Sequence, residues 1–254
     1  MTIKIYDNQR VGIADALQDY LTTTEGFQDY AMGAGCAGDV MYSMGIEGTM
    51  AKNLIVAGGS VGYLSKVPNA IFSYLEAPDA IMGAIREPTF VNVGRAFYSI
   101  TNVGATSIQV VQSGIYSLLG KVASVLSLCS SAMEVTLDTT SLIDQFSIEE
   151  AYSKKNMGKK VFAALKETRI WRGLCLGKSL AKTCAKVSLV AAPFLALPIA
   201  IGVVATATAV SIGMSVTETI FKKCIMDHVP VHPTHLKNQG KDLALIRDKT
   251  CIIL

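Results

Sequence analysis

The stretch that decides the fold is VSLVAAPFLALPIAIGVVATATAVSIGMSVT, residues 187–217, which carries no charged side chain. One membrane-spanning helix needs about 20 apolar residues and two need about 40, so this run fits neither length. Pro193, Pro198 and Gly202 interrupt it. Because proline ends or kinks a helix, we expect a break near Pro198 to Gly202, with a shorter helix on each side. The run therefore predicts an apolar helical hairpin.

Basic residues flank this run on both sides. Residues 151–186 hold ten basic side chains and one acidic one, and Lys222 and Lys223 follow the run. Positive flanks favour the cytosolic side, so we expect a hairpin that dips into the bilayer and returns. A single tilted span and a hairpin buried at the centre of a soluble bundle are the alternatives. The residues expected to insert are Val187, Pro193, Pro198, Gly202 and Thr217.

The basic stretch is interpreted as a contact with anionic lipid headgroups, to which each Lys or Arg contributes about 1 kcal/mol. A solvated helix face is the alternative interpretation. The residues expected at the headgroups are Lys159, Lys160, Arg169, Arg172, Lys182, Lys186, Lys222 and Lys223. Nucleic acid is not expected as a partner, because no aromatic interleaving or binding motif accompanies the charge. Residues 1–50 carry two basic and seven acidic side chains, and we expect them to contact a cytosolic protein.

The chain ends in Cys251-Ile252-Ile253-Leu254. This ending resembles the CaaX box of prenylated proteins, in which a final leucine favours geranylgeranylation. The resemblance implies lipidation at Cys251, with the basic residues just upstream as a second membrane signal. A hydrophobic tail packed against the fold is the alternative.

Two glycine motifs suggest chemistry. Residues 58–62 read G-x-S-x-G, the pattern of the nucleophile elbow in α/β-hydrolases, with Ser60 at the position of the nucleophile. Too few strands precede it, so a serine hydrolase using Ser60 stands as an alternative function only. Residues 33–38 match G-x-G-x-x-G without the strand that a dinucleotide site needs. The three histidines lie within residues 228–235 together with two prolines, which favours a linker, and we expect neither a metal nor a cofactor.

The remaining patterns are helical. Half of the chain is apolar and 17% is charged, against about a quarter charged in ordinary soluble domains. Apolar residues recur at three- and four-residue steps in residues 96–133, which predicts a bundle helix. Three prolines divide residues 66–90 into expected short pieces. Six cysteines without paired spacing, and an opening without a secretory signal pattern, indicate a reducing compartment.

We therefore predict a mostly α fold, a helical bundle with an apolar hairpin that associates with membrane. The expected parts are residues 1–150 (helical, with an acidic start), 151–186 (a basic helix), 187–217 (the apolar hairpin) and 218–254 (a tail with the CaaX-like end).

The interrupted apolar run and the Gly- and Ser-rich texture resemble the inclusion-membrane proteins of chlamydia-like intracellular bacteria. That resemblance implies secretion into a host cell and residence in a host-derived vacuole or inclusion membrane, facing the cytosol. The late position of the run and the CaaX-like end depart from that family. The expected function is a membrane-anchored structural or tethering protein without catalysis. A pore-forming or membrane-remodelling protein is an alternative, and self-association into a homo-oligomer is compatible with both.

Overall fold

The structure is a computed structural model that describes residues 7–46, 48–111, 117–153 and 159–230. Within these ranges the chain forms seven α-helices and no strand beyond one isolated bridge. The helices are α1 (Ile13–Leu21), α2 (Thr24–Ser43), α3 (Thr49–Arg86), α4 (Phe90–Val111), α5 (Ser117–Ser153), α6 (Lys159–Ala191) and α7 (Leu197–Ile220). The prediction of a mostly α fold is confirmed.

Each of the long helices packs against the next one along the chain, from α2 to α7, and α2 also packs against α7. The last two run antiparallel. Trp171 near the start of α6 meets Glu218 near the end of α7, and Gly177 lies opposite Met214 one turn further on. Helices α6 and α7 therefore form a hairpin, with α2 against its second arm.

The turn of this hairpin does not lie where the sequence predicts it. Helix α6 continues to Ala191, a single 3-10 turn covers Ala192–Phe194, and α7 begins at Leu197. Pro198 thus lies in the first turn of α7 and Gly202 lies inside that helix. Proline is tolerated in a first turn because the N–H it lacks has no partner there. The predicted break at 198–202 is wrong, and the arms are α6 and α7 rather than two short helices within residues 187–217.

The predicted short pieces in residues 66–90 are also wrong. Helix α3 runs through both Pro68 and Pro78. Each proline removes one backbone hydrogen bond, but Ala70 and Ser73 between them are buried against the neighbouring helices. Packing of a buried face supplies most helix stability in proteins, and it compensates here for the two lost bonds. The predicted helical pattern of residues 96–133 falls on α4 and α5.

The interior consists of small side chains. Of the fifteen buried apolar residues among those described, eleven are alanines. Serine and threonine are frequent among the buried polar residues, and Leu165 and Met226 are the largest fully buried side chains. Small residues let helix backbones approach closely, as they do where helices pack inside membranes. The large apolar side chains must then lie elsewhere.

Candidate functional site

Helix α7 has its small and polar residues inside and its large apolar residues outside. The buried face is a stripe of residues at helical spacing: Ala200, Thr208, Ser211, Ser215 and Glu218. Exposed positions on the same helix include Leu197, Ile199, Val203 and Val210. A surface helix of a soluble protein shows the opposite arrangement, with its apolar stripe facing the core.

The turn of the hairpin is an exposed apolar tip, which we define as residues 192–199. Phe194 is 86% exposed and Leu197 is 73% exposed, the two largest values among the large apolar residues described. All five residues predicted to insert into a membrane are exposed: Val187, Pro193, Pro198, Gly202 and Thr217. The sequence therefore identified a run of accessible positions, although it misplaced the bend.

Among the described residues, one helical segment is long and apolar enough to cross a membrane, Leu197–Ile225. The 24 residues of α7 are about 36 Å long, against a hydrocarbon core of about 30 Å. Only 22% of the apolar window in this segment is buried, whereas the central helix of a soluble bundle would be mostly buried. Most of the apolar window of this segment is thus not buried in the bundle.

The opposite end of the hairpin, where α6 begins and α7 ends, is polar. Lys159, Lys160 and Lys222 are exposed there. Lys223 contacts Asp19 at 2.9 Å. The ammonium group of Lys222 lies 5.3 Å from the centre of the Trp171 ring, so a cation and the indole share this level of the hairpin. These four lysines define what we call the polar end, and their contact with lipid headgroups stays a prediction.

Other predicted headgroup residues contact protein groups instead. Arg172 is 8% exposed and donates a hydrogen bond to the carbonyl of Ser141, so its assignment to lipid is wrong. Arg169 pairs with Glu149 at 2.8 Å. The remaining two predicted residues, Lys182 and Lys186, also form contacts with other helices. The basic stretch is therefore not one exposed face.

Four charged side chains form a cluster where α2, α6 and α7 meet, which we call the ionic cluster. Lys182 Nζ lies 2.6 Å from Glu25 Oε1, and Lys178 Nζ lies 3.5 Å from the same oxygen. Lys178 also contacts Glu218 Oε2 at 3.3 Å. The indole N–H of Trp171 donates to Glu218 Oε1 at 2.5 Å. Two cations and two anions thus balance inside the bundle.

A third lysine of α6, Lys186, lies one turn beyond the ionic cluster, and we call Lys178, Lys182 and Lys186 the lysine ladder. Lys186 donates to the hydroxyl of Ser131 and, at 3.3 Å, to the carbonyl of Ser127, both on α5. Lys178, Lys182 and Lys186 follow one another at four-residue spacing, which places them on one face of α6. That spacing was visible in the sequence, but their partners on α2 and α5 were not.

The two ends of the described part of the chain meet in a clasp, residues 7–11 against residues 222–228. The backbone N–H of Asn8 donates to the carbonyl of Asp227 at 2.8 Å. The side-chain amide of Asn8 donates to the carbonyl of Lys222, also at 2.8 Å. The clasp holds the segment after α7 against the polar end.

The carboxylate of Glu167 on α6 completes the clasp. Its Oε2 accepts hydrogen bonds from the backbone N–H groups of Asp227 and His228, at 3.2 and 3.1 Å. The His228 ring Nδ1 lies 3.1 Å from the same oxygen. Lys160 hydrogen-bonds Asp7 at 2.8 Å and lowers the pKa of that carboxyl. His228 therefore has a structural contact, whereas the other two histidines of the predicted linker, His232 and His235, lie outside the described residues, as does Cys251.

Both glycine motifs lie inside helices. Residues 33–38 belong to α2 and residues 58–62 belong to α3. A nucleophile elbow requires a strand that turns sharply into a helix, and residues 54–57 are helical instead. The arrangement expected around Ser60 for a hydrolase is therefore wrong. Among the described residues, no group of three His, Cys, Asp or Glu side chains is placed to hold a metal ion.

Fold and surface together define a helical bundle with an outward-facing apolar hairpin arm. No family model, curated protein or solved structure matches the chain. The proposals below therefore depend on the geometry of the chain itself.

Proposed function

We propose that this protein is a membrane-anchored helical protein with a structural or tethering function, attached through the α6–α7 hairpin. One observation carries the proposal, namely that α7 is long enough to cross a bilayer and turns its large apolar side chains outward. In water this surface would be costly, at about 25 cal/mol for each Å² of apolar area left exposed. In a bilayer the same apolar side chains would contact lipid acyl chains. The buried face of small residues would pack against neighbouring helices, as the faces of membrane helices do.

The polar end gives the hairpin its orientation in this proposal. The apolar tip crosses to the far leaflet, while Lys159, Lys160, Lys222 and Lys223 remain at the headgroups on the cytosolic side. Trp171 lies beside Lys222, at the level where indole rings are common in membrane proteins. Each of these lysines would contribute about 1 kcal/mol against an anionic surface.

The rest of the chain would then act on the cytosolic side. The segment after residue 230 leaves from the clasp, so a lipid on Cys251 would attach on the same side as the lysines. The part of residues 1–150 that stays outside the bilayer would contact a cytosolic protein. A bacterial effector in a host-derived membrane, as the resemblance implies, is one setting in which such a tether would serve.

The test is alkaline carbonate extraction of membranes from eukaryotic cells that express the wild type or a Cys251→Ser variant. We expect the wild type to stay in the pellet, because the hairpin anchors it, and the variant to stay there too, with a smaller bound fraction. Wild type in the supernatant would refute the membrane anchor. Identical pellets would remove the lipid on Cys251 from the proposal and leave the hairpin.

A further inference from the structure

We infer that α2 enters the bilayer together with the hairpin, because its Glu25 supplies the counter-charge that allows the polar helix α6 to be there. This inference rests on the proposed function and adds α2 to the inserted unit. It concerns the ionic cluster.

Helix α6 cannot enter lipid with its lysines unpaired. Lys178, Lys182 and Lys186 span about 12 Å of its length on one face. Ionisable residues within a membrane are costly, and they face the bundle interior or pair with one another. The ladder therefore needs acceptors from neighbouring helices before α6 can accompany α7 into the bilayer.

The hairpin alone supplies only one carboxylate to this ladder. Glu218 on α7 contacts Lys178, and Glu25 on α2 contacts Lys182. Glu25 is the sole carboxylate within 4.0 Å of the Lys182 ammonium among the described residues. Ser215 on α7 donates a further hydrogen bond to Glu25 at 3.4 Å, which ties α2 to both arms. Without α2, the hairpin would carry an unpaired cation on its inner face.

The outer face of α2 is also compatible with lipid. Phe27 is 41% exposed and Tyr30 is 54% exposed, one turn of helix apart and just past Glu25. Met32 adds a third exposed apolar side chain to this part of α2. Helix α2 thus pairs Glu25 inward and presents Phe27, Tyr30 and Met32 outward, although Asp39 is exposed further along it.

The experiment measures flotation of purified full-length protein with phosphatidylcholine vesicles at pH 7.5, where lysine is charged and no anionic headgroup attracts it. Glu25→Gln leaves Lys182 unpaired, and we expect the floated fraction to fall by about tenfold or more. Lys182→Met should reduce flotation less, because Glu25 keeps its contact with Lys178. The double variant keeps the neutral Lys178–Glu218 pair and should return to within about twofold of the wild type.

The matched control is Glu149→Gln, which breaks the Arg169–Glu149 pair at 2.8 Å near the polar end. We expect its flotation to equal that of the wild type. A Phe27→Trp variant tests α2 directly, since its added emission should be quenched by lipids that carry bromine on their acyl chains.

Three results would overturn the inference. Glu25→Gln could float to the same extent as the wild type, the double variant could float no better than Glu25→Gln, or the added emission of Phe27→Trp could remain unquenched. The last readout does not depend on whether Glu25→Gln folds. Wild-type protein that fails to float would instead refute the membrane anchor itself.

Discussion

Helices α6 and α7 are neighbours in one hairpin and have opposite compositions. Helix α6 carries a ladder of lysines and α7 carries no charge before Glu218. Yet both turn their polar groups inward, α6 toward carboxylates and hydroxyls and α7 along a stripe of small hydroxylated residues. Composition alone therefore does not say which way a helix faces, and the side chains available on its neighbours decide it.

The same comparison changes the meaning of the charge asymmetry. The acidic start and the basic stretch suggested separate external partners. In the structure, acidic residues of the start pair with cations of the hairpin: Asp7 with Lys160, Asp19 with Lys223, and Glu25 with Lys178 and Lys182. Much of the asymmetry is therefore balanced within the chain, and this includes Lys160 and Lys223 at the polar end.

A single charge on the outward face of α7 should weaken binding to vesicles. Val210 is 54% exposed, ten residues from the end of the helix. We expect Val210→Lys to lower vesicle binding by about 100-fold, because a lysine at mid-membrane depth costs about 3 kcal/mol. Flotation measures the loss, and Thr217→Lys near the polar end is the control, where lysine can reach the headgroups. Equal binding by both variants would show that α7 does not cross lipid.

On the inward face of α7, the stability of the fold should depend on the size of the side chains. Ser211 is fully buried on α7. We expect Ser211→Leu to destabilise the fold by about 1–3 kcal/mol, because the added carbons have no space between the helices. Thermal unfolding in detergent, followed by circular dichroism, gives the change. Melting at the wild-type temperature would mean that the stripe is not packed.

Substitution of a glycine on the outward face should stabilise the fold instead of destabilising it. A Cβ at Gly213 would meet no atom within 4 Å, whereas one at Gly33 would lie 3.2 Å from Ile212 Cδ1. Gly213→Ala should therefore stabilise the protein by about 0.5–1 kcal/mol, through reduced backbone freedom in the unfolded chain. Gly33→Ala, measured by the same melt, should gain less. A larger gain at Gly33 would contradict the close packing of α2 on α7.

The smallest change in stability is expected for a substitution in the clasp. Asn8→Ala removes the hydrogen bonds to the carbonyls of Lys222 and Met226, at 2.8 and 3.2 Å. The loss should be about 1 kcal/mol or less, because these groups are partly solvated. Faster hydrogen exchange at the amide of Asp227, with vesicle binding unchanged, is the expected result. Unchanged exchange would indicate that Glu167 and the backbone bonds of the clasp hold this segment without the Asn8 side chain.

The sequence was sufficient for what depends on local pattern. It predicted the helical class and the exposed apolar run, because a long uncharged stretch and a three- to four-residue period need no tertiary information. It misplaced the bend, because Pro198 can begin a helix as readily as end one. It also divided α3 at Pro68 and Pro78, where tertiary packing outweighs the lost backbone bonds.

The ionic cluster could not be predicted for a different reason. Glu25 and Lys182 are 157 positions apart, and nothing in either neighbourhood specifies the other. The headgroup assignment of Arg172 was wrong for the same reason, since its burial depends on α5 packing against α6. Charge counts along a chain cannot distinguish a residue that meets lipid from one that meets a distant carboxylate.

The clasp has a mechanical consequence for a tether. A pull applied to the chain at residue 230 acts on residues 222–228 before it reaches α7. There the load is shared with residues 7–11 through the Asn8 and Val11 backbone bonds, and with α6 through Glu167. The pull would thus reach both arms of the hairpin at once, and the bonds of the clasp would have to break before α7 could be drawn out alone.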